Sequence, residues 1–139
     1  MKQLAFLIFL LPIAVAGQST TSYDQVMEKF QKFYNAGHGD SINAMFGHEW
    51  DQMKSSTTLW TNKSNDDLLK EFGFLKSYKF IGIDTSDPNR VYVFETRFSK
   101  KGAKTTSLTL DSDNNLSTFR FITISDGITK LLKKSRRSR

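Results

Sequence analysis

The chain has 139 residues, 38% of them hydrophobic and 24% charged, with two prolines and eight glycines. One globular domain fits these numbers, whereas disorder, a collagen-like repeat or a pair of full-sized domains does not. The absence of cysteine excludes disulfides, thiolate zinc sites, iron–sulfur clusters and a cysteine nucleophile.

Residues 1–17 read as a signal peptide. Lys2 supplies the positive start, and Leu4 to Ala16 form an apolar run too short for a permanent membrane span. Ala14-Val15-Ala16 then has the small-x-small pattern of a cleavage site, and polar residues follow from Gln18. The mature chain is therefore expected to be secreted or periplasmic. With no cysteine after the run, a lipid anchor at that point is chemically excluded.

Residues 18–126 read as a single α+β domain. Ser22 and Gln25 resemble a capping box, and Tyr23, Val26, Met27, Phe30, Phe33 and Tyr34 follow at three- and four-residue steps, which predicts a long amphipathic helix ending at Asn35-Ala36-Gly37. Asp40 caps a short second helix through Ile42, Met45 and Phe46, whose face Trp50 and Met53 extend; Lys54 to Thr58 form a polar hinge. Ser64, with Asp67 three residues on, opens a third helix through Leu68, Leu69 and Phe72, with Gly73 at its C-terminal cap.

From Phe74 the period becomes strand-like, with Lys79, Ile81 and Ile83 alternating with Phe80 and Gly82. Ser86 to Asn89 is a turn. Over Arg90 to Ser99, Tyr92, Phe94, Thr96 and Phe98 share one face, with Val91, Val93, Glu95 and Arg97 on the other. Lys100 to Gly102 turns the chain into a strand carrying Thr106, Leu108 and Leu110, and Asp111 to Asn115 turns it again into a last strand over Leu116 to Ile124. Short turns between consecutive strands imply an antiparallel four-stranded meander, curved around the first helix.

Residues 127–139 read as a basic C-terminal tail. Lys130, Lys133, Lys134, Arg136, Arg137 and Arg139 lie there with no acid, so most of the net charge of +6 belongs to this segment. Without these six and Lys2, the 13 remaining basic residues face 14 acidic ones. The body thus carries no basic stripe for nucleic acid. Ile128, Leu131 and Leu132 stand at helical spacing among the cations, so the segment reads either as a solvated, flexible end or as a minimal amphipathic helix for an anionic membrane or cell-wall surface.

A long helix ending in Tyr34-Asn-Ala-Gly, followed by Gly39-Asp40 and a short helix ending in Met45-Phe46, is similar to the opening of nuclear transport factor 2-like domains. That superfamily includes ketosteroid isomerases and SnoaL-like cyclases. Leu68 to Ser77 and Leu108 to Phe121 resemble an exported bacterial branch of it, the domain-of-unknown-function family 3887. The resemblance spans Ser22 to Ile124. It implies a cone-shaped α+β fold and an accessory role, leaves open a homodimer paired through the outer sheet face, and supplies no catalytic residues.

An isomerase or cyclase on such a fold needs a carboxylate inside the cone and a hydrogen-bond donor opposite it. Asp51 and Glu95 are the candidate bases, Tyr34 and Tyr78 the candidate donors. None sits in a catalytic motif, and Glu95 beside Arg97 also reads as a solvated ion pair. As a binding module, the cone would hold a small apolar ligand or a partner segment against Trp50, Trp60, Tyr34 and Phe94. Cofactor signals fail: His48-Glu49 lacks the second histidine of a zinc helix, because Gln52 stands there. Asp111 to Asn115 lacks the glycine and glutamate of a calcium loop, with Leu116 and Ile122 at those positions. The sequence thus favours a non-enzymatic binding module without metal or cofactor.

Overall fold

The computed structural model describes residues 21–47, 60–86, 88–121 and 126–138. The signal-peptide reading of 1–17, the nominated residues Trp50, Asp51 and Arg139, and the hinge at 54–58 lie outside these.

Three helices precede the sheet: α1 (Ser22–Asn35), α2 (Gly39–Asn43) and α3 (Asn62–Phe72). Four strands follow, β1 (Leu75–Asp84), β2 (Val91–Phe98), β3 (Gly102–Leu110) and β4 (Leu116–Phe121), in spatial order β1-β2-β3-β4 and antiparallel throughout. The expected α+β class with a four-stranded antiparallel meander is therefore present. A last helix, α4 (Asp126–Arg137), occupies the segment read from sequence as a tail.

The apolar stripe of α1 lies on one face of the sheet. Val26 and Met27 join Phe94, Leu108 and Leu116 in one buried cluster; Phe30 and Tyr34 join Ile42, Leu75 and Phe98 in a second. These strand residues alternate as the pleat requires, which puts Tyr92, Phe94, Thr96 and Phe98 on this inner face. Thr96 is buried there without penalty because its hydroxyl lies 2.8 Å from that of Thr106, one donating to the other. Asn35 ties the helix end to the sheet: its amide nitrogen donates to the Leu75 carbonyl at 3.0 Å, and its oxygen accepts from the Leu75 N–H at 2.8 Å.

All three helix starts differ from the sequence reading; α2 begins at Gly39 after His38 as N-cap, so Asp40 lies inside its first turn instead of capping it. Thr21, not Ser22, is the N-cap of α1, and its hydroxyl donates to Asp24 at 2.7 Å instead of capping a backbone N–H. In α3 the capping box exists three residues earlier than predicted, with Thr61 as N-cap and Ser64 as its reciprocal partner. Thr61 is where the backbone leaves the extended conformation (φ −119°, ψ 162°), so its hydroxyl is the one that meets the free N–H of Ser64. Gly73 ends α3 with φ +77°, the positive value expected of a glycine cap.

Candidate functional site

The inner face is filled by rings. Phe30 stacks on Phe119 with centroids 4.1 Å apart and on Tyr34 at 5.6 Å, while Trp60 meets Phe30 edge-on at 5.6 Å. Phe72, Phe98 and Phe121 close the same cluster. Of the residues nominated as pocket walls, Phe94 and Tyr34 have no exposed surface and Trp60 is half-buried in this stack. Their aromatic character was legible in the sequence; their use as mutual packing partners is a product of the fold.

The three nominated acid–base residues among the described residues are separated. The Tyr34 hydroxyl donates to the Gly73 carbonyl at 3.0 Å inside the core. Burial, and secondarily the negative charge of Glu71, push its pKa up to about 12, so it is a neutral donor already engaged with backbone. Tyr78 is half-buried near the other end of α1, where burial and then the Glu28 and Asp24 carboxylates raise its pKa. Glu95 pairs with Lys79 across β1 and β2 and points to the opposite, outer face. There its carboxylate accepts a bond from Arg97 at 3.2 Å, the ion pair that the alternation suggested. The fold brings none of the three together.

Open space lies elsewhere. A cleft of about 400 Å³ opens between α1, α2 and the β3–β4 turn, with Val26, Phe33, Met45 and Leu116 as its apolar lining and Lys29 and Asn115 among its polar residues. Its floor is set by backbone: the Leu116 N–H donates to the Met45 carbonyl at 3.0 Å, and the Gly47 N–H donates to the Leu116 carbonyl at 3.1 Å. The turn beside it is self-contained. Asp111 accepts the N–H groups of Asp113 and Asn115 at 2.9 and 2.8 Å, a local turn that satisfies the pattern once compared with a calcium loop.

A second cleft of about 440 Å³ lies on the outer face, between the β1–β2 turn and β4; Asp84, Ser107, Thr109 and Arg120 line it together with Val91 and Ile128. Asp84 is 5% exposed and accepts from the Ser86 hydroxyl at 2.6 Å and its N–H at 3.0 Å. Sequence reasoning placed Phe33 and Met45 on apolar helix faces without nominating them as site residues and did not single out Asp84 or Lys29, because nothing local distinguishes a residue beside a cleft from one on a closed surface. No protein-family model matches the chain, and no curated protein matches it.

Proposed function

We propose that the chain is an exported, non-enzymatic accessory or binding module with the cone-shaped fold of the nuclear transport factor 2-like domains it resembles. Three helices followed by an antiparallel meander support that resemblance, and the leader-like residues 1–17 support export. The module takes a small apolar ligand, or an apolar partner segment, in the cleft between α1 and α2.

The observation that carries this reading is the contrast between the sheet–helix core and the cleft beside it. Within the sheet–helix core the rings fill one another's space, whereas beside Phe33 and Met45 about 400 Å³ stays open, within the size range of ligand pockets. Lys29 at this cleft gives an acidic end group a counter-charge. The distance of Glu95 from the inner-face phenols supports binding over in-cone catalysis, since a base and a donor must face one reacting atom.

Thermal unfolding in the presence of small amphipathic carboxylates tests the proposal. A ligand at one hundred times its Kd should stabilise the fold by about 2.7 kcal/mol, a shift of several degrees. Ala44→Trp, which places an indole in the exposed wall of the cleft, should abolish that shift while leaving the apo melting temperature nearly unchanged. A library without effect on the natural chain, or a shift that survives Ala44→Trp, would refute it. N-terminal sequencing of the exported product tests the address separately; a start near Gln18 is expected.

A further inference from the structure

The six cations of the C-terminal segment look equivalent in the sequence, but α4 sorts the five that it carries. Ile128 is 1% exposed, and Leu131 and Leu132 are half-buried. Leu131 lies against Gly82 of β1, so close that a Cβ at Gly82 would come within 3.0 Å of its Cδ2. Leu132 meets the outer face beside Ile81 and Glu95, where Arg136 also borders a small crevice. The apolar stripe of the helix is thus already used against its own sheet.

At 100° per residue, Lys130, Lys133, Lys134 and Arg137 occupy the opposite side of the helix, and all four are exposed. They follow an i, i+3, i+4, i+7 pattern over about 10 Å of helix. Among the described residues none of the four has a carboxylate partner. Long flexible stems on a docked helix let all four charges reach one plane together, which matches a flat anionic surface better than a deep site.

We infer that α4 is a peripheral attachment surface for anionic phospholipid, engaging headgroups through Lys130, Lys133, Lys134 and Arg137 while its apolar face stays on the sheet. This differs from an ordinary amphipathic anchor, whose apolar side enters the acyl boundary. The choice of a bilayer as the occupant rests on the proposed export, which brings the chain to a membrane surface. The attachment itself is charge-driven and reversible. It also leaves the α1–α2 cleft unobstructed, because that cleft lies on the other face of the sheet.

Co-sedimentation of the chain with vesicles tests the inference directly. Vesicles of 70% phosphatidylcholine and 30% phosphatidylglycerol should bind it at 50 mM salt, release it at 500 mM, and pure phosphatidylcholine should not bind it. Each cation near such a surface contributes about fivefold in affinity, so changing all four to Gln should weaken binding several-hundred-fold. Salt-insensitive binding, binding to pure phosphatidylcholine, or a Gln variant that binds as tightly as the natural chain would overturn it. So would capture by a soluble linear polyphosphate at 50 mM salt with no binding to the vesicles. These outcomes are independent of export, which the N-terminal sequence reports.

Discussion

Tyr34 offers a test in which stability and pH dependence must change together. Its hydroxyl has no exposed surface, and its single bond to the Gly73 carbonyl at 3.0 Å joins the end of α1 to the turn between α3 and β1. Tyr34→Phe keeps the ring and its packing on Phe30 and Phe98 but strands a buried carbonyl. The expected cost is about 1–2 kcal/mol near neutral pH, and about 3–5 °C in melting temperature per kcal/mol for a domain of this size. The phenol's pKa is raised by burial to about 12, against 10 in the unfolded chain. A raised acid keeps its full contribution below the unfolded value and loses it as pH climbs to the folded one, so the window is pH 10 to 12. At 1.36 kcal/mol per unit, the natural chain should lose as much as about 2 kcal/mol there, less any relaxation of the site. The Phe variant lacks this component. Urea unfolding followed by tryptophan fluorescence, repeated from pH 7 to 11.5, should show two stability curves separated at neutral pH and converging above pH 10. Tyr78, also raised by burial and by Glu28 and Asp24, contributes equally to both curves. A constant gap from pH 10 to 11.5, or no gap at pH 7, would refute the reasoning.

Phe30→Ala should cost about 3–5 kcal/mol, because the lost ring is the one that stacks on Phe119 and meets Trp60; the midpoint of urea unfolding measures it. Gly39→Ala should destabilise by more than about 1 kcal/mol, since a Cβ there would run into the Thr61 carbonyl, and a thermal melt within a degree of the natural chain would contradict that contact. Thr61→Ala removes the reciprocal cap of α3 and should cost about 1 kcal/mol, while Ser22→Ala, one residue inside α1, should cost a few tenths. A loss of about 1 kcal/mol in Ser22→Ala would restore Ser22 as the cap of α1.

Much of the architecture was legible locally. The three- and four-residue steps from Tyr23 to Tyr34 specify one helical face whatever lies opposite it, and the alternation from Tyr92 to Phe98 specifies one strand face. Cap positions were legible only to within a few residues, because Thr61 and Ser64 carry equally suitable hydroxyls and the backbone conformation at each decides between them. Among the candidate site residues, Glu95 beside Arg97 was readable from strand alternation. The fate of Tyr34, Phe94 and Trp60 was not, since a ring facing inward can line a cavity or fill it, depending on the partners that distant segments deliver.

The same division holds across the molecule. Periodicity, turns and charge blocks are properties of neighbouring residues, so the sequence by itself determined the order of three helices before four strands, the antiparallel meander and the concentration of cations after residue 126. Which surfaces meet is a property of residues far apart in the chain, and only the tertiary structure decided it. Phe119 and Phe121 reach α1 from nearly ninety positions away, and their rings take up the interior. Gly82 leaves room for Leu131 of α4, so the apolar side of a basic segment is drawn onto the sheet and its cations are turned outward.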